Sequence, residues 1–241
     1  MAISVVNKTN ANTLTVTIPA TTAGNCLIVC VASFYSGTPP AISGVTLGGA
    51  ADNFAQLIAP VNNTNSAALM WADPNCAGGQ TSVVISGTNL SVIAGAGAVE
   101  VYEASGLAST IAAMLDKSST GSNASSGAWS SGTTGTTSQA AELWVGMVEA
   151  PGGGVVGPGL PWVNDHDTHT EALFGTQVTS SAGAAVYNGT VTPGSWAAIV
   201  VTLQSPASAV PTALPLNLDA EGIFQDSAQY EGPPLGSGYI R

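Results

Sequence analysis

The chain has 241 residues and three basic side chains, Lys8, Lys117 and Arg241, against fourteen carboxylates, which gives a formal net charge of -11. Only 7% of the residues are charged, whereas soluble domains usually carry about a quarter. Because affinity for nucleic acid depends on Lys and Arg that neutralise phosphates, this composition excludes nucleic acid as a direct partner. A hydrophobic content of 45% is that of a globular protein with a substantial core.

The sequence lacks the patterns of a membrane span and of a secretory signal. Its longest apolar runs, such as residues 26–34, are far shorter than the about 20 residues that a membrane helix needs. The N-terminus, Met1-Ala2-Ile3-Ser4, has no basic segment followed by an apolar stretch. We therefore expect no membrane partner and no signal peptide in this sequence. Either the mature form begins after a removed signal, or the protein reaches the outside by another route, such as release of a virus particle on lysis.

Short strand-like segments, separated by Gly, Pro and Asn, follow one another from residue 14 to residue 203. The first, residues 14–18, alternates apolar and polar side chains, as a strand with one buried face does. The second, residues 26–32, is apolar throughout, which is typical of a central strand covered on both sides. The later segments are 42–47, 54–59, 67–72, 82–86, 98–103, 142–148, 176–180, 184–188 and 196–203.

This spacing of strands predicts an all-β fold, an antiparallel β-sandwich of jelly-roll-like type, over residues 1–204. One short helix is predicted in a connection, because Leu107, Ile111, Met114 and Leu115 recur at helical spacing.

Three cysteines leave at least one thiol unpaired. Cys26 and Cys30 face the same way on their predicted strand but lie about 13 Å apart, too far for a disulfide. Both are expected to be buried thiols. Cys76 lies in a predicted turn and is either free or in contact with a core thiol.

Residues 118–138 break the rhythm of strands, since seventeen of these twenty-one residues are Ser, Thr or Gly. Such a composition is typical of a flexible linker. Thr is also a good strand former, and Trp129 is an apolar anchor, so an edge strand or a long surface loop is the other interpretation.

The C-terminal arm, residues 205–241, is rich in proline, which prevents regular helix and central strand. It nevertheless keeps large apolar side chains that a disordered linker would not retain. We expect an extended arm whose apolar side chains occupy grooves on a neighbouring copy or on its own domain. The predicted contact residues are Leu214, Leu216, Leu218, Ile223, Phe224, Tyr230, Leu235, Tyr239 and Ile240.

Candidate sites for chemistry are few. Asp165, His166, Asp167 and His169 are weak candidates for metal ligands, because their spacing matches no established zinc or calcium loop. A polar loop is the simpler interpretation, and no metal or cofactor is predicted.

Catalytic groups are also not indicated. No Gly-x-Ser-x-Gly nucleophile motif occurs, and Glu100 and Glu103, three apart on a strand, point to opposite faces. The sequence therefore does not predict an enzyme. Trp129 and Trp162, in polar or Gly-rich surroundings, are candidates for exposed contacts, including contact with a glycan.

Several short motifs resemble a β-sandwich domain found in many virion and bacterial surface proteins. They include Gly-Asn-Cys-Leu-Ile-Val at residues 24–29, Val-Glu-Val-Tyr-Glu-Ala-Ser-Gly-Leu at 99–107 and Glu-Leu-Trp-Val-Gly at 142–146. The resemblance covers about residues 24–203. Where the family pattern has Glu-Tyr-Ser-Gly-Leu, this chain has Tyr-Glu-Ala-Ser-Gly-Leu, a shift in register that separates its glutamates from the family positions.

The resemblance implies a structural protein of a tailed bacteriophage, either a head decoration protein or a minor tail component. The implied location is the virion, and the implied partners are other virion proteins and copies of the same chain. Such domains are also similar to sugar-binding modules, so a carbohydrate-binding module that recognises a host surface is one alternative. A subunit of an extracellular filament is another.

Overall fold

The computed structural model describes residues 2–93, 97–166 and 171–207, which form one compact unit. The strands within these ranges are β1 (Ser4–Ala11), β2 (Thr15–Thr17), β3 (Cys26–Phe34), β4 (Ala41–Leu47), β5 (Ala50–Ala51), β6 (Ala55–Asn63), β7 (Ser66–Asp73), β8 (Ser82–Thr88), β9 (Gly97–Ser105), β10 (Leu115–Thr136), β11 (Glu142–Glu149), β12 (Val163–His166), β13 (Ala172–Val178) and β14 (Ala184–Gln204). The predicted arm from residue 208 onwards, with all nine of its proposed contact residues, lies outside the described residues.

The strands form three antiparallel sheets. Sheet A has the order β1-β9-β3-β7-β6, sheet B has the order β2-β8-β4-β5, and sheet C has the order β10-β14-β11-β13-β12. The prediction of an all-β antiparallel sandwich is therefore confirmed.

Sheet A is the middle layer of the sandwich. On β3, the alternate residues Ile28 and Cys30 pack with side chains of sheet C, whereas Val29 and Val31 pack with side chains of sheet B. Side chains that alternate between two faces and are all buried require cover on both sides. The uninterrupted apolar run that predicted a central strand at residues 26–32 is thus explained and confirmed.

Strands β10 and β14 form a bent ribbon. The half of this ribbon that carries Trp129 and Tyr187 covers the outer face of sheet C. These strands pair from Leu115↔Leu203 to Thr136↔Ala184, with shifts of register around Ser126. A β-carbon added at Gly121 would stand 2.0 Å from the carbonyl oxygen of Ser130. Residues nine apart on a straight strand are about 30 Å apart, so β10 folds back on itself.

This bend decides between the two interpretations of residues 118–138, because all but the last two of them belong to an edge strand of sheet C and not to a linker. Gly is required at the closest points of the bend, where the two halves of β10 approach each other. At Gly132, for example, an added β-carbon would stand 2.7 Å from Oγ of Ser119.

The predicted helix is confirmed as a single turn, α1 (Ile111–Met114). The side chain of Thr110 caps it by accepting a hydrogen bond from the amide of Ala113 at 3.3 Å. Met114 is fully buried and anchors the turn to the core. No helix within the described ranges is long and apolar enough to cross a membrane.

All three cysteines are free and buried, as predicted for Cys26 and Cys30. The thiol of Cys26 faces the sulfur of Met114 at 3.5 Å, and the thiol of Cys76 donates to the carbonyl of Thr22 at 3.5 Å. Of the two alternatives for Cys76, the free thiol is correct.

Candidate functional site

The prediction that Trp129 and Trp162 are exposed is wrong. Trp129 is 2% exposed and Trp162 is 7% exposed, because the bent β10–β14 ribbon closes over the outer face of sheet C. The surrounding sequence is polar because its small residues allow the close approach of backbones, and not because the segment faces solvent.

These tryptophans belong to an aromatic cluster centred on Tyr187. The ring of Tyr187 lies 5.0 Å from the ring of Trp129 and 4.7 Å from that of Trp162. The indole of Trp129 donates to the carbonyl of Thr190 at 3.1 Å, and the hydroxyl of Tyr187 donates to Asn164 at 3.0 Å. A cluster whose aromatic faces are buried stabilises the fold and offers no platform for a sugar.

Among the candidate metal ligands, Asp165 is the one whose side chain the structure describes. It lies on β12, where Lys8 contacts Oδ1 and the hydroxyl of Tyr102 lies 3.4 Å from Oδ2. The backbone of His166 ends β12, whereas Asp167 and His169 lie outside the described residues. Within the described part of the chain, no group of three His, Cys, Asp or Glu side chains could hold a metal ion.

Asp165 and the two residues that it contacts belong to a polar cluster between the edges of sheets A and C. We call it the edge cluster. It consists of Lys8 and Asn10 on β1, Glu100 and Tyr102 on β9, and Asp165 on β12. In the β1–β9 register, Lys8 lies opposite Tyr102 and Asn10 lies opposite Glu100. Residues two apart on a strand share a face, so these four side chains project together towards sheet C.

Glu100 is the buried carboxyl of the edge cluster, with 1% exposure. Its Oε2 accepts a hydrogen bond from the amide of Asn10 at 2.9 Å. Burial raises the pKa of Glu100 to about 7; the charge of Asp165 adds to this rise, whereas Asn10 and Lys8 oppose it. At neutral pH this carboxyl therefore exchanges a proton readily, which is unusual for a glutamate.

Glu103 points to the opposite face of β9, as predicted, and its environment differs. It accepts hydrogen bonds from the side chains of Asn7 and Asn25 at 2.8 and 2.7 Å and from the amide of Thr22 at 2.8 Å. Although burial alone would raise the pKa of Glu103, these donors hold it below the ordinary value. Glu103 is thus an ionised structural carboxylate that ties β1 and the segment before β3 to β9.

A second pair of carboxyls, Asp116 and Glu142, lies where β10 and β11 begin. Burial raises the pKa of Glu142 to about 7, with a further rise from the negative charge of Asp116. For Asp116, burial is outweighed by hydrogen bonds from Lys117 at 2.8 Å and from Ser138 at 2.6 Å, which lower its pKa to about 2. At moderate pH the pair therefore holds one proton, which is on Glu142, while Asp116 is ionised.

The sequence argument did not single out Lys8 or Tyr102. Tyr102 had no distinguishing signal, because it occupies an ordinary apolar position of a strand. Lys8 did have one, since it is one of only three basic residues, but the strand β1 on which it lies was not predicted from the sequence.

Comparison of the chain with protein-family models, with curated proteins and with solved structures finds no match. The proposals below therefore rest on the sequence and on the geometry of the described residues.

Proposed function

We propose that the chain is a non-enzymatic structural protein of a virus particle, a capsid decoration or minor tail component that is held on a protein lattice by its C-terminal arm. Other virion proteins and further copies of the chain are its partners under this proposal.

The observation that carries the proposal is the contrast between a closed domain and the apolar sequence that follows it. Strand β14 ends at Gln204, and Ser205 exchanges hydrogen bonds with Gln139 at 2.8 and 3.2 Å, so the sandwich is complete at this point. The remaining sequence still carries nine large apolar side chains among repeated prolines. Apolar side chains in a segment that cannot form regular structure gain most free energy by burial against another protein surface.

The surface chemistry of the domain supports the same proposal. Within the sequence, trypsin-like proteases can cleave only after Lys8 and Lys117, and 7% of the residues are charged. A net charge of -11 keeps isolated copies apart in solution, so attachment to a lattice requires specific contacts such as those of the arm.

The alternative of a carbohydrate-binding module depended on exposed tryptophan side chains. Its proposed contacts, Trp129 and Trp162, are buried in the aromatic cluster. No other observation within the described residues favours it.

The test is incorporation of a truncated chain into particles. A chain that ends at Ala207 keeps β14 and the hydrogen bonds of Ser205, and we expect it to fold but to be lost from purified particles. A finer variant replaces Leu214, Leu216 and Leu218 with Ser; its matched control replaces Ser227 and Gln229 of the arm with Ala. Occupancy is measured by quantitative mass spectrometry of the particles.

We expect the Leu-to-Ser variant to lose occupancy at least tenfold and the control to keep it. Wild-type occupancy for the chain that ends at Ala207 would overturn the anchoring role of the arm. A full chain that polymerises alone into filaments would instead support the filament alternative.

A further inference from the structure

The edge cluster contains the reactants of an intramolecular condensation. We propose that Lys8 and Asp165 join in an amide bond between Nζ of Lys8 and Cγ of Asp165, with release of one water, and that Glu100 carries the proton for this reaction. This inference is independent of the proposed function, because it concerns a covalent bond within the sandwich itself.

Lys8 and Asp165 are in direct contact. Nζ of Lys8 lies directly against Oδ1 of Asp165, although the two residues are 157 positions apart in the chain. Lys8 is held by the pairing of β1 with β9, and Asp165 by the pairing of β12 with β13. Two strands of different sheets therefore hold the nucleophile and the electrophile together. Because the two groups need not meet by diffusion, the free-energy barrier is much lower than that of a bimolecular condensation.

The reacting groups differ in exposure. The side chains of Lys8 and Asp165 are 47% and 15% exposed, whereas Glu100 and Tyr102 are at most 1% exposed. The electrophilic carboxyl is therefore largely shielded from water, whereas the lysine side chain remains partly hydrated.

Glu100 is a buried carboxyl that can transfer protons beside the reacting pair. Glu100 shares a face with Lys8, as its diagonal neighbour in the β1–β9 ladder, and its charge interacts with both Lys8 and Asp165. A group whose pKa lies near neutrality both accepts and releases a proton at that pH. Asn10 fixes the orientation of this carboxyl through the hydrogen bond to Oε2.

The reaction balances in atoms and charge. Glu100, as carboxylate, accepts a proton from the ammonium of Lys8 and passes it to one carboxylate oxygen of Asp165. The free lone pair of Nζ then attacks Cγ of the resulting carboxylic acid to form a C–N bond. Nitrogen gives its second proton to Glu100, which passes it to the already protonated oxygen, and this oxygen leaves as water when the C–O bond breaks. An ammonium and a carboxylate thus become an amide and water, and no oxidant or other reactant is required.

Tyr102 has a positioning role in this scheme. Its hydroxyl lies 3.4 Å from Oδ2 of Asp165, on the side of the carboxyl away from Lys8. As a donor at this oxygen it stabilises the negative charge that develops there when nitrogen attacks.

The chain offers an internal comparison in its second ion pair. Nζ of Lys117 lies 2.8 Å from Oδ1 of Asp116, which is an ordinary hydrogen-bonding distance. These residues are adjacent in sequence, and Ser138 also binds the carboxylate of Asp116. We expect no condensation at this pair.

The test is the mass of the denatured full chain. Wild-type protein should be lighter than its sequence by one water, whereas Lys8→Arg should have its full sequence mass, because a guanidinium keeps the ion pair but is not a nucleophile at neutral pH. Glu100→Gln should also keep the full mass. Its matched control is Glu103→Gln, on the same strand but on the opposite face, which should still lose one water.

Digestion with trypsin gives a second readout, because cleavage sites follow only Lys8 and Lys117 within the chain. With the amide present, Lys8 is not cleaved, and fragments 1–117 and 118–241 remain joined after denaturation. Without it, the digest separates into fragments 1–8, 9–117 and 118–241.

A wild-type protein of full sequence mass whose digest separates into three fragments would show an ordinary ion pair only and would overturn the proposal. Loss of water in Lys8→Arg would equally overturn it, since the bond would then involve other residues. Retention of the bond in Glu100→Gln would remove Glu100 from the mechanism and contradict that part of the proposal. None of these measurements depends on particles, so failure of the proposed virion function would leave them unchanged.

Discussion

The ring of Tyr187 lies directly on Gly146. A β-carbon added at Gly146 would stand 2.3 Å from Cγ of this ring. Gly175 is the partner of Gly146 across β11 and β13, and its added β-carbon would stand 2.8 Å from the same ring. Because the hydroxyl of Tyr187 is hydrogen-bonded to Asn164, the ring cannot simply move away. Two paired glycines thus form the surface on which the aromatic cluster packs.

We predict that Gly146→Ala lowers the free energy of unfolding by about 3 kcal/mol, because the added methyl group must displace a fixed, buried ring. Denaturation in urea, followed by the fluorescence of the buried tryptophans, measures this change. Gly44→Ala is the control: it also lies on a strand, but nothing lies within 4 Å of its added β-carbon. A loss below about 1 kcal/mol for Gly146→Ala would contradict the packing described here.

In the bent ribbon, side-chain hydroxyls accept hydrogen bonds that backbone carbonyls would accept in a regular β-ladder. At the shifts of register in β10, Oγ1 of Thr134 accepts a hydrogen bond from the amide of Ala185 at 2.8 Å. Thr134→Val keeps the shape of the side chain but leaves this buried amide without an acceptor. We expect a loss of about 2 kcal/mol in the free energy of unfolding.

The matched control is Thr133→Val, one residue earlier on β10, where the side chain is exposed. It should change stability by less than about 0.5 kcal/mol. Hydrogen exchange at the amide of Ala185 gives an independent readout, with faster exchange expected only in Thr134→Val.

The buried carboxyls predict how stability depends on pH. Glu100 and Glu142 have pKa values raised from 4.5 to about 7, and Asp73 from 3.8 to about 6, in each case chiefly by burial. Between the ordinary and the raised values, the folded protein binds protons that the unfolded chain has released. The free energy of unfolding must therefore fall as the pH rises from about 4 to about 7.

Asp116 and Glu103 have the opposite effect on the pH dependence of the free energy of unfolding, because folding lowers their pKa values. The pKa of Asp116 is lowered to about 2. Their stabilisation is present above the ordinary pKa and is lost as the pH falls towards 2. Together these groups place maximum stability near pH 4 to 5.

Thermal unfolding from pH 3 to pH 9 checks this dependence. Glu142→Gln should reduce the loss between pH 5 and pH 8 by up to about 3 kcal/mol, because the neutral amide needs no proton beside Asp116. Glu231→Gln, outside the sandwich domain, removes one charge from the chain and should leave the profile nearly unchanged. A stability that rises from pH 5 to pH 8 would contradict the assignment.

The three thiols should be unreactive in the folded protein. Burial raises the pKa of Cys26 and of Cys30 far above its ordinary value, and burial together with nearby carboxylates raises that of Cys76 to about 12. Since the thiolate is the reactive species, a thiol reagent at pH 8 should modify none of them within minutes. All three should react at once in denaturant, and prompt modification of any cysteine in the native state would disprove its burial.

Much of the fold was predictable because the pattern of apolar and polar residues along a strand reflects which of its faces are buried. The continuous apolar run at residues 26–32 predicted a strand covered on two faces, and the odd spacing of Glu100 and Glu103 predicted that they point apart. The single turn of α1 followed from apolar residues at helical spacing. Each of these inferences uses only the geometry of one element.

The incorrect predictions concern contacts between elements. Trp129 and Trp162 have polar neighbours in sequence, but the fold of the β10–β14 ribbon over sheet C buries them. Whether residues 118–138 form a strand or a linker could not be decided locally, since Ser, Thr and Gly suit both. The partner that decided it, β14, lies more than sixty residues away in the chain for most of its length.

The amino-acid sequence by itself determined that this protein is an all-β domain with little charge and buried thiols, because composition and the period of two are properties of neighbouring residues. Only the tertiary structure decided which edges meet. The contact of Lys8 with Asp165 joins strands of different sheets across 157 positions, and no local pattern encodes the order of the strands that brings them together.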